Sequence, residues 1–171
     1  MSEALNLSIN DVLVEKIRQQ GAESYPNECC GALLGRDAGA EGKSTRTARE
    51  VLEIFPLVNR REDSPRNRFF VTAEDAHDAD KAAQAQGLDL IGWYHSHPDH
   101  PAKPSEYDRE HAWPWYSYII VSVQNGNPRD MTSWRLQDDR SAFAAEEVAI
   151  RKSSQGLSEV QAAGGRTWPY V

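Results

Sequence analysis

Leu5, Leu7 and Ile9 alternate with polar neighbours, the period of a half-buried strand, and Asn10 then stands where a helix cap belongs. The run from Asp11 to Glu23 carries Val12, Leu13 and Ile17 among polar residues and predicts an amphipathic helix. Pro26 and Asn27 break the chain before "ECCGALLGR", a strand-length apolar run that Gly35 ends. "DAGAEGKST" reads as a loop, "AREVLEIFPLVN" as a strand, "RREDSPRN" as an irregular polar link and "RFFVT" as a further strand. Thr72 with Asp75 three places on, an alanine-rich stretch through Ala85, and Gly87 mark a helix with start and stop signals at the right ends. "LDLIGWYH" and "YSYIIVSV" are apolar strands; Asn125 to Pro128 is a turn, "MTSWRLQ" its partner strand, and "SAFAAEEVAI" a strand or short helix. This order predicts an α/β fold: a mixed, mostly antiparallel curved sheet flanked by helices. Residues 1–150 form one domain, and 151–171 a weakly held tail rich in Ser, Gln, Gly and Ala.

Size and composition narrow the class. A chain of 171 residues suits a single core, and 39% hydrophobic residues supply it without any run long enough for a membrane span. "MSEALNLSIN" lacks the segments of a signal peptide, so a cytoplasmic protein without membrane association is expected. A net charge of −7 with no basic stripe repels phosphate backbones, which argues against a nucleic-acid partner. Adjacent Cys29 and Cys30 are poorly placed to bridge each other and read as reduced, buried strand residues rather than as nucleophile or ligand.

The densest chemistry lies in "GWYHSHPDHPAKPSEYD", residues 92–108. A strand period of two sends His95 and His97 to one face, and beyond a loop holding Pro98, Pro101 and Pro104 comes Asp108, one helical turn after Ser105. Two imidazoles and a carboxylate suit zinc with a fourth position open, the form of a catalytic site. "SEYD" equally fits a helix start in which Ser105 caps and Asp108 folds back. His100 reads as a solvated loop residue, His77 as exposed, and His111 as a supporting or structural side chain. Ser96 points to the opposite strand face, Trp93 to core or groove wall, and the aromatics of "WPWYSY" to core and rim packing.

"HSHPDHPAKPSEYD" resembles the signature of the JAMM metalloproteases, also called MPN-plus or Mov34/PAD-1: His, Ser or Thr, His, seven residues, Ser, two residues, Asp. "NECCGALLGR" adds Glu28 in the place where that family keeps an upstream glutamate, and the likeness runs over residues 5 to 150. The resemblance implies the MPN fold, akin to cytidine deaminases, and one zinc ion held by His95, His97 and Asp108. It implies Glu28 as general base and Ser105 as oxyanion donor. It further implies a peptidase or isopeptidase cutting an amide bond after the Gly-Gly tail of a ubiquitin-like or sulfur-carrier protein. Family members that lost the ligands serve as scaffolds, and a different metal hydrolase such as a nuclease is the remaining alternative. Which carrier is cut, whether the bond is peptide or isopeptide, and the oligomeric state stay open. Gly164 and Gly165 in the tail resemble such a diglycine, but a disordered terminus is the simpler reading.

Overall fold

Each helix starts where a side chain can take up the amides that its first turn leaves open. Strand β1 (Asn6–Asn10) runs straight into α1 (Asp11–Ser24), where the Asn10 side chain accepts from the Leu13 amide at 2.8 Å. After β2 (Cys30–Asp37) and β3 (Ala48–Leu57), α2 (Ala73–Ala85) opens with a reciprocal box. There Thr72 Oγ1 accepts from Asp75 N at 3.0 Å while Thr72 N donates to Asp75 Oδ2 at 3.1 Å. Then follow β4 (Asp89–Pro98), the short α3 (Glu106–His111), β5 (Ser117–Gln124), β6 (Asn127–Leu136) and β7 (Phe143–Arg151). The computed structural model describes residues 4–37, 48–58 and 71–153. The expected loop over 38–45, the link over 60–67, the start of "RFFVT" and the tail from 154 on lie outside the described residues. Val71 and Thr72, the end of that expected strand, carry no strand pairing and lead into α2.

The strands do not form an open curved sheet flanked by helices. They close into a barrel in the order β1-β3-β2-β4-β5-β6-β7, accompanied by only three helices among the described residues. Closure comes from β1, which pairs in parallel with β3 on one side and with β7 on the other. The β4–β5 pairing is also parallel, whereas β2–β3, β2–β4, β5–β6 and β6–β7 are antiparallel. "SAFAAEEVAI", ambiguous from its own pattern, thus becomes the last stave, since pairing on both sides removes the exposed edge that an open sheet would leave.

Two cores pack on the barrel. Leu13, Val14 and Ile17 of α1 join Leu7, Ile9, Leu33, Val51, Ile91, Tyr94, Ile119 and Val121 in one. Ala79 and Ala83 of α2 join Ala32, Leu34, Leu90, Trp93, Tyr118 and Leu136 in the other. Burying a Leu, Ile or Val side chain contributes about 1.5–3 kcal/mol, so these clusters hold the strands that carry the site.

One irregularity decides which way that site faces. Leu33 pairs with Gly92 but Leu34 with Leu90, so β4 holds one residue more than β2 at this point. Alternation therefore switches: Leu90 and Trp93 lie in the α2 core, Ile91 and Tyr94 in the α1 core. The switch needs Gly92, because a Cβ there would stand 2.1 Å from the Ser117 carbonyl oxygen. Beyond it, the period of two carries His95 and His97 to the side of Trp93.

Candidate metal centre

His95 and His97 end β4, where the strand is packed between β2 and β5, and both imidazoles are buried. Asp108 reaches them from the first turn of α3. His95 Nε2 lies 3.2 Å from His97 Nε2 and 3.3 Å from Asp108 Oδ1, and His97 Nε2 lies 3.2 Å from Asp108 Oδ2. At zinc bond lengths of about 2.0–2.1 Å, the edge of a coordination tetrahedron is about 3.3–3.4 Å. The triangle has that size.

Its chemistry is that of a cation site as well. The His97 ring, in its neutral form, donates from Nδ1 to the Pro101 carbonyl at 2.9 Å, so Nε2 turns a lone pair toward Asp108 and His95. Burial pushes the His95 imidazole below its ordinary pKa and keeps it neutral. Burial also pushes the Asp108 carboxyl upward, but its interactions with the His95 and His97 rings outweigh it and hold the group well below the usual carboxylate range. Two imidazole nitrogens and a carboxylate within 3.3 Å of one another make a donor set suited to a divalent cation.

Glu28 stands one step back. It precedes β2, is buried, and offers an oxygen within 4.8 Å of ring nitrogens of both histidines. The Cys30–His95 register places Glu28, two residues before Cys30, on the same face as the imidazoles. Glu28, His95 and His97 could themselves hold an ion, and Asp108, 3.2–3.3 Å from both ring nitrogens, completes an alternative set with Glu28 beside it.

Both expectations for Ser105 have their place. It caps α3: Oγ accepts from Asp108 N at 3.0 Å, and Ser105 N donates to Asp108 Oδ2 at 2.8 Å. That second bond orients the carboxylate toward the imidazoles. Because the cap uses a lone pair of Oγ, the hydroxyl proton stays available to a ligand.

The other candidates fall outside this geometry. His77, His100 and His111 are exposed, and His111 stacks on Tyr107 with ring centroids 4.0 Å apart. Both thiols are buried and free; burial raises Cys29 to about 12 and keeps Cys30 protonated too, so neither is a ready nucleophile. Ser96, on the far face, accepts from the Cys29 amide at 2.8 Å. The Pro101 carbonyl is a partner that sequence reasoning missed; only the density of prolines in the loop hinted that its backbone is held in one shape.

A cavity of about 350 Å³ opens beside the triangle, with His95 and Asp108 in its wall. Trp93, Tyr107, Trp113, Tyr116, Tyr118 and Phe143 make the rest of it largely aromatic, so "WPWYSY" contributes to a groove wall as well as to packing. The Tyr118 hydroxyl accepts from Trp113 N at 2.8 Å, fixing the wall, and burial raises its pKa so that the phenol stays neutral. Among the described residues no helix is long and apolar enough to cross a membrane.

Known proteins resemble this chain in sequence and fold. A desampylase of Haloferax volcanii is 32% identical over 120 residues, covering 70% of this chain and 79% of that protein. A probable TtuB-protein conjugate cleaving protease of Thermus thermophilus is 32% identical over 111 residues, 65% of this chain and 66% of its own length. Solution structures of a Desulfitobacterium hafniense protein (TM-score 0.72, 28% identity, 86% of this chain and 94% of that one) and a Salinibacter ruber protein (0.64, 40%, 86% and 93%) superpose on the fold. Prokaryotic homologs of the JAB domain match residues 11–137, and this chain is a member of that family.

Proposed function

We propose that the chain is a zinc-dependent hydrolase that cuts the amide bond after the Gly-Gly tail of a ubiquitin-like or sulfur-carrier protein. The observation that carries the reading is the triangle of His95 Nε2, His97 Nε2 and Asp108 within 3.3 Å, with a buried glutamate behind it. Those three side chains would hold the ion, which when bound lowers the pKa of water to near 7 and polarises the scissile carbonyl. Glu28 takes the proton of the attacking water as the new C–O bond forms, a role worth about 10²–10⁴ in rate. The Ser105 hydroxyl donates to the carbonyl oxygen as that oxygen gathers charge. When the C–N bond breaks, Glu28 returns its proton to the departing amine, leaving the tail as a carboxylate.

The two relatives named for removing or cleaving protein conjugates support an isopeptide as the scissile bond. The aromatic cavity gives the polypeptide next to that bond an apolar surface to lie against. A scaffold would have no use for three converging ligands, and a charge of −7 disfavours a nuclease.

Purified protein loaded with zinc should cleave carrier fusions and lysine conjugates ending in Gly-Gly. A chelator should abolish the activity, and Glu28→Gln should lower kcat by about 10²–10⁴ while keeping its zinc. Equal cleavage by Glu28→Gln and wild type, or indifference to the chelator, would refute the proposal.

A further inference from the structure

The turn before β2 and the exit of β4 are fastened twice, once on each side of the functional groups. Cys29 N donates to Ser96 Oγ at 2.8 Å, and Ser96 N to Cys29 O at 3.1 Å. Farther out, the Tyr25 hydroxyl donates to Asp99 Oδ2 at 2.7 Å. Glu28 and His97 lie between these two fastenings in their respective segments.

Asp99 is itself held in place from three directions. Its backbone is left-handed, φ 58°, a conformation that Asp and Asn tolerate better than other side chains. Its amide donates to Val123 O at 2.7 Å, and its second carboxylate oxygen accepts from Asn125 N at 2.7 Å. Asn125 and Gly126, with φ 54° and 85°, form the tight turn between β5 and β6, and a Cβ on Gly126 would meet the Tyr25 ring at 3.7 Å. One carboxylate thus bonds the α1–β2 turn to the β5–β6 turn across the end of the strand that carries both histidines.

We infer that Tyr25 and Asp99 form a brace that sets Glu28 against the imidazole pair, which makes them positioning residues for the hydrolysis. This rests on the reading of the site given above. A single exposed hydrogen bond adds little to the stability of a barrel of this size. Its leverage is geometric: Glu28 follows Tyr25 by three residues and His97 precedes Asp99 by two, and a misplacement of about 1 Å at a reacting centre lowers rates by about 10²-fold.

Two conservative variants test the brace. Tyr25→Phe removes one hydroxyl, and Asp99→Asn keeps a residue suited to the left-handed turn while giving up one acceptor. Each is followed by kcat and KM on a Gly-Gly isopeptide, zinc content, melting temperature, and the visible bands of the cobalt-substituted protein, which report the surroundings of the ion. The expected result for Tyr25→Phe is a kcat lower by about ten- to a hundred-fold, with KM, metal content and melting temperature unchanged. Its cobalt bands should shift in the same direction as those of Glu28→Gln, and adding Tyr25→Phe to Glu28→Gln should change neither rate nor spectrum further. Effects that multiply in the double variant, or a Tyr25→Phe cobalt spectrum identical to wild type, would overturn the inference. Should wild type fail on every Gly-Gly substrate, the proposed function falls alone, because the cobalt bands still decide the brace.

Discussion

The barrel buries two polar clusters, and they are built on opposite plans. At one, Arg49 donates to Asp37, to the Ile91 and Trp115 carbonyls and to Ser117, while Glu146 accepts from Ser117, Ser133 and Arg135. Two cations and two anions there answer one another, and strands β2 to β7 are tied through them. At the other, the two imidazole Nε2 atoms and the Asp108 carboxylate converge on a common point, and Ser105 N and the His97 Nδ1–H bond aim them. A buried polar group is tolerated when paired. The first cluster finds its partners within the chain and therefore acts as a fastening; the second gathers side chains of metal-ligating type and is therefore the candidate site.

Substitutions in the two clusters should separate these roles. The largest effect is expected for His97→Ala, which should lose zinc and bring hydrolysis to the level of chelator-treated wild type while the metal-free protein still unfolds cooperatively; metal analysis with a melting curve checks this. Retained stoichiometric zinc would mean that the triangle is not the metal site. Glu146→Ala should do the reverse, destabilising the fold by about 3–5 kcal/mol in urea titrations by leaving the buried Arg135 without its carboxylate partner. Zinc should not specifically restore the stability of that variant.

Ser105→Ala should lower kcat by about 10²-fold and stability by about 1 kcal/mol. Ser105→Asp should recover the cap but not the rate, since a carboxylate caps without a proton to give. Recovery of both would leave Ser105 a structural residue. The smallest effect concerns acid. Burial lowers the His95 pKa, so below the ordinary value of about 6.5 the unfolded chain binds a proton that the folded one refuses. Metal-free protein should lose stability as pH falls through about 6.5, levelling off beneath the folded pKa. A second loss should follow below about 4, where the depressed Asp108 carboxyl would have to be protonated. Chemical denaturation across pH 4–8 measures the first loss, and His95→Gln should flatten it.

How much of this could be read in the chain depends on how local each cause is. The caps at Asn10 and Thr72 lie within three residues of the amides they serve, and both helices start where those side chains predict. The convergence of the candidate ligands was legible because strand period, proline loop and helix start deliver His95, His97 and Asp108 from one stretch of fourteen residues. Barrel closure was not: β1 finds Ala48 to Val51 on one side and Glu147 to Arg151 on the other, and nothing in "NLSIN" names such distant partners. The extra residue in β4 was hidden for another reason, since an apolar "LDLIGW" shows no change of face until a neighbouring strand sets the register. Tyr25 and Asp99 are ordinary turn residues in sequence, and only the fold shows what they join.

Each stave of the barrel has a neighbour on both sides over part of its length, and beside His95 the wall of the cavity is made largely of side-chain rings. An extended tail approaching His95 would lie against those rings. Discrimination among tails would then depend on the bulk and polarity of their side chains, and single substitutions near the scissile bond should alter turnover more than changes in backbone propensity.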